Sequence, residues 1–265
     1  MTIYESDFLL LTGPPACGKS TLCLTFNGLI PQNIEGEFKG TVTVMGMNTR
    51  KTPVWELAQQ VGMVFQDPES QFLGMTVLDD LLIGPENIGL PEEEAMRRVE
   101  WALKVTRLNG LEDRSPFELS GGQKARVAIA SALTLMPKIL VLDDPLVSLD
   151  PMGKRDLMEV LSRLNREHGI TIILATHEVE EATSYATRLA FMTNGKILYY
   201  GEPGEVFNRL TLEEVKSIFS PQCLEVLLEL KDRGLPIRCL MYTLDGAENI
   251  IKKILAKGEA NGGDS

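Results

Sequence analysis

The sequence predicts an α/β fold with a mostly parallel sheet. Three observations carry that expectation. Short apolar runs alternate with helical stretches along most of the chain, two of those runs end in polar residues, and the first feeds a glycine turn that opens a helix. In open α/β sheets the carboxyl edge of the strands is where ligands bind.

Asp7 to Thr12 (DFLLLT) reads as a buried strand ending at Gly13. Lys19 to Leu29 reads as a helix stopped near Gly28 and Pro31. Gly40 to Gly46 (GTVTVMG) alternates and is β-branched, a strand pattern, and Val61 to Phe65 (VGMVF) is another. From Thr76 to about Leu108 the pattern turns helical, and its charges at Glu92, Glu93, Glu94, Arg97, Arg98 and Glu100 fit a solvated face better than a binding patch. A further helix opens at Ser120 and runs through Ala132, ending before Pro137. Lys138 to Leu142 (KILVL) and Thr171 to Ala175 (TIILA) are strands. After Gly204 come amphipathic helices, Leu212 to Phe219 and Pro221 to Arg233, and a low-complexity tail from Gly258 to Ser265.

The 265 residues suffice for a full core, and 44% hydrophobic with 24% charged residues is ordinary globular composition. A net charge of −11 argues against nucleic acid as the main partner, because such binders present a basic face. No apolar run approaches the roughly 18 residues a membrane span needs. The start, MTIYESDFLLLTG, carries acids where a signal peptide carries positive charge. The expectation is a soluble chain that serves a membrane, if at all, from its side. Cys17, Cys23, Cys223 and Cys239 have neither metal-ligand spacing nor a disulfide framework and read as free buried thiols, suited to a reducing cytosol.

Gly13-Pro14-Pro15-Ala16-Cys17-Gly18-Lys19-Ser20 fits the phosphate-loop pattern G-x-x-x-x-G-K-[ST] between a strand and a helix. Backbone N–H groups of such a loop point at phosphates, and the helix dipole favours their charge. Lys19 reaches the β- and γ-phosphates, and the Ser20 hydroxyl ligates Mg²⁺. Downstream, Ile139-Leu-Val-Leu-Asp143-Asp144-Pro145 is an apolar strand ending in two carboxylates. Asp143 can hold a metal's shell and Asp144 can polarise an attacking water. Leu119-Ser120-Gly121-Gly122-Gln123 makes a second exposed helix N-terminus.

With that motif the chain resembles the ATP-binding cassette (ABC) family, whose signature is LSGGQ. The similarity covers most of Phe8 to Gly204. Gln66 in VFQDP resembles the Q-loop, Ser148-Leu149-Asp150 the D-loop, and His177 the switch histidine, whereas His168 reads as an ordinary histidine. The resemblance implies ATP and Mg²⁺ as cofactors, with nucleotide contacts from Gly13 through Thr21, Gln66 and Asp150. It implies that Ser120, Gly121, Gly122 and Gln123 act in trans on a second subunit's ATP. Ser20, Gln66 and Asp143 would hold the metal, and Asp144 and His177 would be catalytic. It further implies a P-loop NTPase core with a partial antiparallel β subdomain and an α-helical signature subdomain at about 70–135. The nucleotide-binding domain would occupy residues 1–205, with a C-terminal helical extension and flexible tail at 206–265.

Val64 to Pro91 (VFQDPESQFLGMTVLDDLLIGPENIGLP) looks like the ATPases of energy-coupling factor transporters, which take up vitamins or cobalt and nickel ions. Pro221 to Ile237 (PQCLEVLLELKDRGLPI) resembles their C-terminal extension, which helps hold two ATPases together. That similarity implies an uptake transporter at the cytoplasmic face of the membrane. Its partners would be a second ATPase, a transmembrane coupling protein and a substrate-binding membrane component. A groove around Gln71 to Thr76 would receive the coupling protein's helices; the plain alternative is that Gln71 and Phe72 only cap and pack a helix.

Two positions depart from the family pattern. Asp144 stands where hydrolytically active members carry Glu, and losing a methylene retracts the carboxylate by on the order of 1 Å, a misplacement able to lower the rate by about 10²-fold. Twelve residues precede Gly13, where the family places two strands and an adenine-stacking aromatic; Tyr4 or Phe8 is the available substitute, although Phe8 reads as core. Ala16 for the usual glycine and Ala125 after the signature are smaller changes. The expectation is therefore a transport ATPase or, alternatively, an attenuated ATP-binding partner whose sister subunit carries most of the hydrolysis. DNA-repair or ribosome-associated cassettes fit less well, since long coiled coils and tandem cassettes are absent.

Overall fold

The computed structural model describes residues 1–218, 220–237 and 240–261, with side chains described as far as Ile254. Phe219, Cys239 and the end of the tail, 262–265, lie outside the described residues. Strand β1 (Phe8–Thr12) feeds the phosphate loop and α1 (Lys19–Phe26), which stops before Gly28 at φ +78°, ahead of the short α2 (Leu29–Gln32). A hairpin follows, β2 (Thr43–Val44) and β3 (Met47–Asn48). The strand expected over 40–46 is thus shorter, because Met45 and Gly46 both have positive φ (+49° and +81°) and reverse the chain there.

Next come α3 (Val54–Leu57), β4 (Val61–Val64), α4 (Val77–Asn87), α5 (Glu92–Val105), α6 (Gly121–Leu133) and β5 (Ile139–Asp143). The helical stretch expected from Thr76 to Leu108 is two helices, broken at Gly89 (φ +72°) and Pro91. The rest of the sheet is β6 (Thr171–Ala175), β7 (Arg188–Thr193) and β8 (Lys196–Gly201); α7 (Pro151–His168) precedes β6 and α8 (Val179–Thr183) follows it. The chain finishes with α9 (Pro203–Phe207), α10 (Leu212–Lys216), α11 (Gln222–Asp232) and α12 (Leu244–Asn261). Helix α12 runs through Gly258, where a flexible tail was expected: Ala247, Ile250, Ile251 and Ile254 pack one face against the core, and good helix formers follow.

The sheet order is β4-β5-β6-β1-β7-β8, parallel throughout except for the edge pair β7–β8. Alternation sorts side chains to its two faces. Phe8, Leu10, Leu140, Leu142, Ile172 and Leu174 join the larger core with α6, α7 and the C-terminal helices. Leu9, Leu11, Val141, Ile173 and Ala175 face Cys23 and Phe26 of α1 and Val44 of the hairpin. The C-terminal helices therefore share one continuous apolar core with the sheet. Helices α4, α5 and α6 pack on one another, and α6 rests on β4.

The segment between β4 and α4 is tied to this helical layer. Asp80, 3% exposed, accepts the backbone N–H groups of Leu73 (2.8 Å) and Gly74 (3.1 Å), and a Cβ on Gly74 would lie 2.3 Å from Asp80 N. Replacing Asp80 by Ala strands both donors. Hydrogen bonds to charged groups contribute about 1.5–3 kcal/mol each, so Asp80→Ala should lower unfolding free energy by about 3 kcal/mol in urea titrations.

Candidate nucleotide site

The parallel register brings the predicted chemistry to one sheet edge. Leu11 pairs with Ala175, and Asp143 pairs with Ala175 from the other side, so Gly13, Asp143, Asp144, Thr176 and His177 follow three adjacent strand ends. Gly13 is sterically required: a Cβ there would lie 1.9 Å from Met192 O. The Asn194-Gly195 turn closes the loop from behind, Gly195 N donating to Cys17 O at 3.0 Å. Helix α1 starts at Gly18 (φ +105°) with no side-chain cap, which leaves its first N–H groups for an external acceptor.

Lys19 is 7% exposed and donates to Gly13 O (2.9 Å) and Pro14 O (3.1 Å), with Cys17 Sγ at 3.9 Å. Among the described residues no carboxylate forms an ion pair with it. A shielded cation with only neutral partners calls for an anion, and phosphate is the anion a loop of this shape accepts. Ser20 Oγ donates to Asp143 Oδ1 at 3.0 Å. Burial raises the Asp143 carboxyl above its usual range; the Ser20 hydrogen bond opposes this, and neighbouring Asp144 adds to it. A hydroxyl and a partly desolvated carboxylate side by side are hard oxygen donors, the set Mg²⁺ takes beside phosphates.

Asp144 sits at φ +49°, its N–H donating to Ala175 O at 2.7 Å. Its Oδ1 accepts from Thr176 Oγ1 and its Oδ2 meets His177 Nδ1, both at 2.8 Å. A carboxylate accepts, so Nδ1 carries the proton. Thr176 was not among the sequence candidates, although it directly precedes His177. Cys17 lies buried in the loop and Cys23 buried on α1, where burial holds its thiol far above the ordinary range, whereas Cys223 on α11 is only half-buried.

The remaining candidates lie elsewhere. Gln66 is exposed on the loop beyond β4, at the same sheet edge, and no hydrogen bond among the described residues joins it to Ser20 or Asp143. Ser120, Gly121, Gly122 and Gln123 line a separate cleft of about 390 Å³ with Asp150, Arg126 and Ser148. Ser120 and Gln123 form a capping box, Gln123 Oε1 accepting from Ser120 N at 2.9 Å. Arg126, also unread in the sequence, donates to Gly122 O at 3.3 Å. Gly121 and Gly122 have no positive φ, and Cβ atoms on them would come no closer than 3.4 Å to neighbours. Nothing inside the chain requires glycine there, and the capped N-terminus of α6 opens into this cleft.

Tyr4 and Phe8 do not substitute for an adenine-stacking aromatic. Phe8 is fully buried at the start of β1, and Tyr4 precedes it, so both sit toward the sheet edge opposite the phosphate loop. His168 is exposed and meets Trp101 edge-on, with ring centroids 5.4 Å apart.

These features define an ATP-binding cassette, and comparison with known proteins agrees. Residues 1–147 match the ABC transporter family. Relatives include a putative ABC transporter ATP-binding protein of Pyrococcus horikoshii, 41% identical over 98% of this chain and 91% of that protein. Another is the energy-coupling factor transporter ATP-binding protein EcfA1 of Caldanaerobacter subterraneus, 38% identical over 91% and 85% of the two chains. Among solved structures, CbiO1 of Clostridium perfringens, part of the ABC transporter complex CbiONQ, superposes with a TM-score of 0.72 at 34% identity over 88% and 86%. The dimeric cassette MJ0796, in a post-hydrolysis state with ADP and Pi, gives 0.66 at 28% identity over 76% and 88%. The chain belongs to the ABC transporter family as an ATP-binding subunit, and it is similar to ATPases of the energy-coupling factor and CbiO type.

Ala16 occupies the left-handed region (φ +60°) without being glycine. That conformation costs an L-residue about 1–2 kcal/mol, so Ala16→Gly should raise the urea midpoint by the equivalent of about 1 kcal/mol.

Proposed function

We propose that this chain is one of two ATPase subunits of an energy-coupling factor-like uptake transporter, peripheral on the cytoplasmic face of the membrane. ATP binding closes the two subunits on each other, and hydrolysis reopens them. The observation that carries this reading is the separation of the two anion sites. The phosphate loop holds Lys19 with no ion-pair partner among the described residues, while the signature N-terminus, capped by Ser120 and Gln123, opens into a different cleft beside Asp150. Each site is completed by the opposite half-site of a second subunit.

Ser20 and Asp143, with Gln66, would hold Mg²⁺, which supplies charge neutralisation at the β- and γ-phosphates. The loop from Gly13 to Thr21 binds the nucleotide, and Lys19 draws the γ-phosphate in. Asp144 and His177, held together at 2.8 Å, orient the attacking water. Residues 1–205 form the nucleotide-binding domain, with 70–135 as its signature subdomain, and 206–265 brace the subunit pair. Net charge keeps nucleic acid from the list of partners.

A groove of about 660 Å³ between β4 and the helical layer, lined by Phe65, Gln71, Phe72, Leu73, Ile83 and Leu135 among others, supports docking of a transmembrane coupling protein. Leu73 (78% exposed) and Met75 (85%) stand beside it. No helix among the described residues is long and apolar enough to cross a membrane. A second reading, an attenuated site beside a more active sister ATPase, is favoured by Asp144 alone.

The test is ATP turnover by the chain co-purified with its membrane partner. Lys19→Ala should reduce turnover to background; undiminished turnover would remove the site. Gly121→Ala separates signature from fold: it should leave the melting temperature unchanged or raised, because Ala is the better helix former by about 1 kcal/mol, yet strongly reduce turnover. Asp144→Glu should raise kcat by about 10- to 100-fold if the short carboxylate is what slows hydrolysis. An unchanged kcat would argue that the native site runs at full speed.

A further inference from the structure

The contacts around Asp144 extend past Thr176 and His177. Thr176 Oγ1 donates to Asp144 Oδ1 and accepts the backbone N–H of Glu178 at 3.1 Å. Accepting from Glu178 leaves the hydroxyl's single proton for Asp144. Glu178 occupies the N-cap position of α8, yet its side chain makes no capping hydrogen bond there. Its carboxylate meets α7 instead: Lys154 Nζ lies 2.5 Å from Glu178 Oε2, an ion pair rather than a directional hydrogen bond.

This pair is unusually shielded. The two side chains are 17% and 15% exposed, whereas every other Lys- or Arg-carboxylate pair among the described residues has at least one more exposed partner. A shielded pair keeps the attraction that water and salt take from an exposed one. Lys154 stands near the N-terminus of α7, where the helix dipole disfavours a cation, so Glu178 rather than the helix accounts for its placement. Its own N–H donates to Asp150 O at 3.0 Å, while Asp150 Oδ1 caps Gly153 N at 2.7 Å. A continuous line of contacts therefore runs from Asp150 through Lys154, Glu178 and Thr176 to Asp144.

We infer that Lys154 and Glu178 are positioning residues that fix the His177 loop against the Asp150 loop. They hold Asp144 and His177 in register with the surface that meets the second subunit. This rests on the proposed assignment of hydrolysis to Asp144 and His177. Neither residue touches the nucleotide loop, so their effect falls on turnover and not on ATP binding.

The experiment measures ATP turnover, ATP binding and melting temperature for Glu178→Gln, Lys154→Met, their double variant and Lys154→Arg, in the full chain purified with its partner subunits. Each neutralising variant should lower kcat by about tenfold or more, as misplacing a reacting group does, with KM for ATP within about twofold. The double variant should be no worse than either single one, and Lys154→Arg should retain most activity. Near-native kcat in both single variants would overturn the inference. So would losses that multiply in the double variant, or that track falling ATP binding and melting temperature. If Glu178→Gln does not fold, Lys154→Met and Lys154→Arg decide the question by the same criteria. His177→Ala is the control: full turnover in that variant overturns the assignment of hydrolysis, and with it the inference. Lost turnover there beside near-native pair variants overturns the positioning role alone.

Discussion

Everything at the site depends on one constraint, the nearly flush parallel pairing of β1, β5 and β6. Because Leu11 and Asp143 share Ala175 as their neighbour, the chain leaves three strands at the same height. Three loops then deliver a lysine, two carboxylates and a histidine to one edge. A slip of one residue in either ladder would turn Asp143 away from Ser20 and reverse the sorting of Leu9 and Leu10 between the two cores. The apolar faces therefore enforce the site's geometry as well as the fold's stability.

That geometry sets two buried electrostatic demands against each other. Lys19 is a shielded cation with only neutral hydrogen-bond partners among the described residues, and Asp143 is a carboxylate that burial and Asp144 both disfavour in its charged form. On the proposed function each imbalance would be met by a counter-ion, phosphate for the first and a divalent cation for the second. Phosphate and Mg²⁺ bound together would satisfy both. The strain is visible in the backbone too, since Ala16 and Asp144 both sit at positive φ where the loops approach the site.

Much of this was legible in the sequence because the signals are local. A glycine-bounded loop before a lysine, carboxylates after four apolar residues, and Ser-Gly-Gly-Gln at a helix start each specify chemistry within a few residues. Other local signals went unread: Asn194-Gly195 is a hairpin dipeptide joining β7 and β8, and Asp150-Pro151 with Gly169 brackets α7. Contacts between distant segments were not legible. Nothing local says that Met192 O forbids a side chain at Gly13, or that Lys154 meets Glu178. The placement of Tyr4 and Phe8 away from the loop likewise depends on strand direction, which residue type alone does not give.

The position of Asp144 ties these threads together. Both oxygens of this side chain are engaged, one by Thr176 and one by His177. The carboxylate thus meets the histidine and its preceding hydroxyl. On the proposed mechanism, the orientation of His177 becomes the quantity that matters for hydrolysis, because the carboxylate acts through it. Orientation of a loop side chain is set by what holds the loop, and here that is the shielded contact between α7 and α8. On that reading, residues with no direct chemistry hold the geometry of the site, which is where motif reading ends and packing begins.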